Sequence, residues 1–253
     1  MILLLAMLAL GLLLGFVGAG GAGIVIAVLT VMFGVPIHTA LGTSLAAMIF
    51  TTLSGSFGHF REQNIAMKSG LAVGIFGAAG ALIGVRIAIL LPSDELRQLT
   101  GWMLLFCAFL LCLRIIYASR VIDRRKDDSS AHGGLRFWIY AVAVGLVSGV
   151  LSGTFGIGAA PFIQIGLLVF FNLTLPQVAG TAMLVTFPIA LMGGIGYLSA
   201  GYLDMHLFVQ VVIGLMTGSY IGSKFTRRLP TAVLKIAMVA IPIVGGALLL
   251  FRS

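Results

Sequence analysis

Acidic side chains are what this chain most lacks. Asp and Glu together number 7 in 253 residues, against 15 Lys and Arg, and charged residues make up only 9% of the whole. That is too little charge to clothe a soluble domain of this length, so a water-exposed globular fold is excluded. The acids, Glu62, Asp94, Glu95, Asp123, Asp127, Asp128 and Asp204, all fall in loops or at helix ends. A porter coupled to protons or sodium usually keeps a carboxylate at membrane depth, and the apolar stretches here contain none. Cysteine is equally scarce. Cys107 and Cys112 lie on one helix, about 140° apart around its axis, so they neither face each other nor form a metal spacing and read as buried thiols. No nucleophile–base pair, metal spacing or phosphate loop appears, which leaves no enzyme, metal or cofactor chemistry to build on. The net charge of +8 sits at helix ends without interleaved aromatics. Nucleic acid is therefore excluded as a partner, and membrane lipids remain.

What is present is hydrophobic. Apolar residues make up 60% of the chain and mean hydropathy is +1.18. Stretches 71–91, 102–117, 178–198 and 232–251 are each long enough to cross or nearly cross a bilayer. The opening run 1–14 has the length of a signal peptide but no basic region before it and no small-residue cleavage site, so it is read as a mature helix. The pattern predicts an all-α polytopic membrane protein of eight to ten membrane segments. Helices are expected near 2–17, 24–33, 39–58, 69–91 and 98–117, then near 138–153, 162–171, 177–198, 206–223 and 232–251.

Those two sets are copies. Shifting residues 11–99 by 138 positions lays them on 149–237 without a gap, with about two dozen identities. Gly15-x-x-Gly18-x-Gly20 falls on Gly153-x-x-Gly156-x-Gly158, and Gly42-Thr43 on Gly180-Thr181. Gly80-x-x-Ile83-Gly84-x-Arg86 falls on Gly218-x-x-Ile221-Gly222-x-Lys224. The expected division is a first repeat over 1–118, a polar cytoplasmic linker over 119–136 and a second repeat over 137–253. If each interrupted unit crosses the membrane as two pieces, the repeats are inverted. Arg86, Arg97 and Arg252 then lie on one side and the other Lys and Arg residues on the opposite side, the asymmetry that positive-inside topology demands. A single crossing per unit would make the repeats parallel and the charge nearly even. The segment 24–33 is only about 15 Å long as a helix, so it can also be re-entrant.

The glycine breaks are the strongest local signal. Four glycines between Gly18 and Gly23 weaken the helix and free backbone groups. Irregular backbone at membrane depth persists only inside protein or beside a wet cavity, and a helix restarting there offers N–H donors and a positive dipole end to an anion. The alternative is close helix packing through small residues. No strand–turn–helix unit surrounds the glycines, so they are not a dinucleotide fingerprint. Thr43, Ser44 and Thr181 add hydroxyls that either donate to a dehydrated oxyanion or bond their own helix carbonyls. Gln164 follows the second break closely. The candidate substrate-binding set is Gly18, Gly20, Gly21, Thr43, Ser44, Gly156, Gly158, Gln164 and Thr181. Arg86 and Lys224 read as cations snorkelling to headgroups, and His38 and His59 as satisfied histidines near helix ends.

Gly18-Ala19-Gly20-Gly21-Ala22-Gly23, Ala40-Leu41-Gly42-Thr43-Ser44 and Gly218–Lys224 running on through Arg227-Arg228-Leu229-Pro230 resemble the TauE/SafE family of sulfite and organosulfonate exporters, over essentially the whole chain. The resemblance implies export of a small sulfur-containing anion, such as sulfite or sulfoacetate, across a bacterial inner membrane. Uptake of such a solute and a non-transporting membrane scaffold are the alternatives, and a homo-oligomer is compatible with either.

Overall fold

The computed structural model describes residues 2–17, 22–121, 134–226 and 231–251. Among them are ten α-helices and no strand: α1 (Ile2–Val17), α2 (Ala22–Val31), α3 (Ile37–Arg61), α4 (Met67–Leu90), α5 (Ser93–Val121), α6 (Leu135–Phe155), α7 (Ala160–Phe170), α8 (Leu175–Ser199), α9 (Met205–Thr226) and α10 (Thr231–Phe251). All ten fall where apolar periodicity predicts them. Five are long and apolar enough to cross a bilayer, in α3, α4, α5, α6 and α8. The chain is therefore an all-helical, multi-pass membrane protein. α5 runs past its predicted end at 117 to Val121, and α6 starts at Leu135. The predicted linker 119–136 is thus partly helix, because the polar residues at its edges extend both helices rather than ending them.

Two helices are too short to span. α2 has 10 residues and α7 has 11, each about 16 Å long. α2 is buried on every side from Ala22 through Leu29, as expected of a helix with no polar face enclosed by others. α7 folds back along α6. Gly166 lies against Val144, the Tyr140 and Phe170 rings are 4.9 Å apart, and Phe137 and Phe171 are 5.5 Å apart edge to face. The end of α7 is therefore level with the start of α6, an antiparallel hairpin.

Consecutive helices find their main partners elsewhere in the chain, and small residues set how close they come. α4 packs on α6, with Gly149 against the backbone of Gly77, Gly153 against Ala81 and Gly84 against Val150. α1 packs on α9 in the same way, with Gly11 against Leu215 and Gly218 against Leu8, Gly11 and Leu12. Residue pairs 149–77 and 11–215, and 80–146 and 218–8, are the same contacts under the 138-residue shift. A Cβ at any of these glycines would strike a neighbouring backbone, so the close approach requires glycine.

α3 and α8, which match one another under the shift, run antiparallel. Gly42 lies against Tyr197, Leu45 against Gly193, Gly55 against Met183 and His59 against Gly180. The matching helices α5 and α10 are also antiparallel, since Gly101 meets Leu250 and Leu105 meets Gly246. α8 carries Pro188 near the middle of its crossing with α3, where the ring seats against Gly74. Proline at that point removes one helical hydrogen bond and makes it a natural bend. Each helix of the α3/α8 pair ends in the same turn: Asn64 N–H donates to His59 O and Tyr202 N–H to Tyr197 O, both 3.0 Å. Gln63 (φ 59°) and Gly201 (φ 77°) supply the left-handed residue that this cap needs.

Candidate functional site

The second glycine break is a compact, buried turn. α6 ends at Gly156, whose N–H donates to Ser152 O at 2.8 Å. Gly156 (φ 66°), Gly158 (φ 70°) and Ala159 (φ 43°) all adopt left-handed backbone, which turns the chain back into α7. That conformation is open to glycine and costs an L-residue roughly 1–2 kcal/mol. Residues 156–161 are buried throughout. Pro161 stands in the first turn of α7 and has no N–H, and Phe162 N–H already donates to Ala159 O at 3.0 Å. The restart of α7 therefore offers fewer free donors than a helix start without proline would.

The second break and the start of α2 reach one face of α3. A Cβ at Gly156 would lie 2.7 Å from Leu41 Cδ2 and 3.2 Å from Ile26 Cδ1, and Gly158 abuts the tip of Met48 and the Thr186 methyl. Ser44 Oγ donates to Ala22 O at 3.3 Å, and Ala22 is the residue at which α2 starts after the first break. Leu41, Ser44 and Met48 recur at helical spacing, so they form a single stripe. Gly18, Gly20 and Gly21 lie outside the described residues.

Hydroxyls gather beside this stripe. Thr43 and Ser152 are fully buried, and neither Oγ has a hydrogen-bond partner in the protein. Ser152 is one turn before Gly156 and flanks the second break, whereas Thr43, about 200° around α3 from Leu41, shares the face of Phe50, which lies against Phe208 of α9. Leaving a buried hydroxyl unpaired costs about 1–3 kcal/mol, which makes each one a ready donor to whatever enters. The neighbouring hydroxyls are engaged: Thr154 donates to Gly84 O at 3.1 Å, Tyr197 to Gly153 O at 3.0 Å and Thr186 to Ala182 O at 2.8 Å. Gln164 is buried in the first half of α7.

Thr181 is not part of this group. Its Oγ1 accepts the Ala66 N–H at 3.0 Å, beside Gly70. Because α3 and α8 are antiparallel, Thr43 and Thr181 lie at opposite ends of the pair, about 22 Å apart along the axis at 1.5 Å per residue. The structure thus brings Ser44, Gly156 and Gly158 to one region, turns Thr43 to another face of α3 and holds Thr181 away. Sequence reasoning missed Ser152, Met48, Thr186 and Tyr197. A signal for Ser152 was present, a serine inside an apolar helix four residues before a glycine break, whereas the contacts of Met48 and Tyr197 depend on how α3 and α8 cross.

The charged groups stay at the ends. Glu62, Asp94, Glu95 and Asp204 are exposed, and Asp204 accepts the His206 and Leu207 N–H groups at 2.9 and 3.1 Å as the cap of α9. His38 Nε2 donates to Ala88 O at 3.0 Å while its ring stacks on Tyr202 at 4.9 Å. No group of three or more His, Cys, Asp or Glu side chains that could hold a metal is present among the described residues.

Among the described residues, ten helices enclose a buried turn with polar groups and no charge beside it, an arrangement that suits a multi-pass membrane transporter. The chain belongs to the sulfite exporter TauE/SafE family, whose model matches residues 3–249. It is 49% identical over 251 residues to the probable membrane transporter protein YdhB of Bacillus subtilis, covering 99% of this chain and 100% of that one. The probable membrane transporter protein YunE of the same organism is 27% identical over 265 residues, covering 96% of each. A probable membrane transporter protein of Methanocaldococcus jannaschii is 26% identical over 257 residues, covering 95% of this chain and 91% of that one. No solved structure matches the chain.

Proposed function

We propose that the protein exports a small sulfur-containing anion, sulfite or an organosulfonate such as sulfoacetate, across a bacterial inner membrane, through a site where the second glycine break and the start of α2 meet the Leu41–Met48 stripe of α3. The observation that carries this reading is the unpartnered hydroxyl of Ser152, fully buried beside the Gly156–Ala159 turn, with a second unpartnered hydroxyl, Thr43, buried on another face of α3. An oxyanion that has shed its water needs donors, and hydroxyls with backbone N–H groups supply them without a compensating cation. Gly18, Gly20 and Gly21, which match Gly156, Gly158 and Ala159 in the first repeat, and Gln164 complete the candidate set. Thr181 serves as a helix-end partner of Ala66.

The repeats in this reading are inverted. Two helices that match under a repeat shift can run antiparallel in a membrane only if the repeats enter it in opposite senses, and the α3/α8 and α5/α10 contacts support that arrangement. So does the α6/α7 hairpin, which returns the chain to the side where α6 began. The linker is then cytoplasmic by the positive-inside rule.

Export needs no proton coupling on energetic grounds. An anion leaving a negatively charged interior gains roughly 2.3 kcal/mol per charge for every 100 mV. The test is flux of radiolabelled sulfite and sulfoacetate from proteoliposomes at clamped voltage with no pH gradient. Flux that rises with outward driving voltage is expected, and it falls at least tenfold in the double variant Thr43→Val/Ser152→Ala. Flux that requires an imposed pH gradient, or that ignores both substitutions, overturns the proposal.

A further inference from the structure

We infer that the groove between α4 and α8 at Arg86 is a binding site for one anionic phospholipid, with the phosphate at the guanidinium and an acyl chain along the aliphatic wall. The groove encloses about 410 Å³ and is lined by Leu82, Ile83, Arg86, Ile89, Gly196 and Ser199, among others. That volume falls in the range of roughly 300–1,000 Å³ typical of ligand sites. Its lining is ordered by depth. Arg86 is one turn inside the end of α4 at Leu90, and Ser199 is the last residue of α8. Leu82 and Ile83 lie one turn deeper and are exposed. A cation and a hydroxyl near the helix ends, above exposed aliphatic side chains at membrane depth, match an amphiphile with a negative head.

Arg86 has no carboxylate within ion-pair distance among the described residues, although Asp94 and Glu95 begin the next helix. Its charge is therefore available to a ligand. A free oxyanion is a poorer match, because most of the wall is aliphatic and would strip its hydration without replacing it. A phospholipid keeps its phosphate at the wet end and buries only its chain. This inference depends on the membrane placement of α4 and α8 and is independent of the transported substrate.

The test uses the full-length protein in neutral detergent, with native mass spectrometry to count bound phosphatidylglycerol and phosphatidylcholine. Wild type is expected to retain one phosphatidylglycerol in preference to phosphatidylcholine. Arg86→Gln should lower that occupancy about fivefold, the factor that corresponds to roughly 1 kcal/mol per cation at an anionic surface. Ser199→Phe, which fills the groove from an exposed position, should lower it as well. Arg136→Gln, the loss of an exposed cation at the start of α6, should leave it unchanged. Equal occupancy in wild type, Arg86→Gln and Ser199→Phe overturns the inference. So does displacement of the bound lipid by excess inorganic phosphate, which would make the groove a site for a free oxyanion.

Discussion

The two ends of the α3/α8 pair share one backbone plan and are closed by different chemistry. At one end Gly42 sits under the carbonyl of Tyr202, and at the other Gly180 sits under the carbonyl of Asn64. Both carbonyls belong to the same kind of helix-ending turn. Around Gly42 the closure is aromatic: Tyr197 donates to Gly153 O at 3.0 Å, and Tyr202 stacks on His38, which is itself tied to Ala88 O. Around Gly180 the corresponding residue is His59, whose Nδ1 approaches only Glu62 of its own turn, at 3.8 Å. The bond that joins elements there is Thr181 with Ala66. The crossing has the same geometry at both ends, but among the described residues one end is held by rings and several bonds and the other by one. If the proposed export opens the protein to each side in turn, as inverted-repeat transporters do, that is a difference in how firmly each door is shut.

The largest effect should come from wedging the shared element. A Cβ at Gly42 would lie 2.8 Å from Tyr197 Cβ and 2.9 Å from Tyr202 O, and one at Gly180 would lie 2.9 Å from His59 Cβ and even closer to Asn64 O. Valine at either site overpacks a turn of backbone that cannot yield, a change that costs typically 1–3 kcal/mol or more. Gly42→Val should be the worse of the two, because Tyr197 is pinned by its bond to Gly153 and cannot swing away. Thermal unfolding of both variants in detergent checks the order. A Gly180→Val protein less stable than Gly42→Val would mean that the polar end is the tighter one.

Helix positions were legible in the sequence because they rest on composition and spacing. Ten apolar runs separated by glycine, proline and polar residues predict ten helices, and all ten form. The candidate site was only half legible. Gly156, Gly158 and Ser44, which the fold brings together, could be picked out because glycine and hydroxyl residues are conspicuous in apolar surroundings. That Thr181 would lie about 22 Å from Thr43 could not, because a repeat shift makes them equivalent without saying whether equivalence means proximity. Equivalent residues meet only near the symmetry axis, which passes by Phe50 and Pro188, and Thr43 and Thr181 lie well to either side of it. Met48 and Thr186 are the matching residues that do approach each other through Gly158, yet methionine facing threonine carries no sequence signal of a site.

A middle-sized effect separates the two threonines. Thr181→Val removes the acceptor of a backbone N–H and leaves Ala66 unsatisfied, which costs about 1–3 kcal/mol. Thr43→Val removes a hydroxyl with no partner, so the folded protein should lose nothing and can gain slightly. The functional outcome should be reversed. Thr43→Val should depress anion flux in proteoliposomes while unfolding at the wild-type temperature or above it. Thr181→Val should unfold earlier, with flux per folded molecule near wild type. Equal stability losses in the two variants would erase the distinction between an unpartnered hydroxyl and a structural one.

The smallest effect tests the aromatic door itself. Tyr197→Phe keeps the ring that packs on Gly42 and deletes only the hydroxyl bond to Gly153 O. The expected loss is about 0.5–1.5 kcal/mol, the net worth of one such bond, with the orphaned carbonyl pushing it toward the upper limit. Because Gly153 belongs to the last turn of α6, the loss should be local. Amide exchange should quicken across 153–158 and stay unchanged in α9, which the tyrosine does not bond. His59→Phe at the opposite end deletes no bond between elements, since its ring nitrogen meets only Glu62 in the same turn, and exchange at the nearby Gly180–Thr181 backbone should not change. If the two substitutions loosen their ends equally, the hydroxyl of Tyr197 is not what distinguishes the doors, and the stacked His38–Tyr202 pair becomes the element that must.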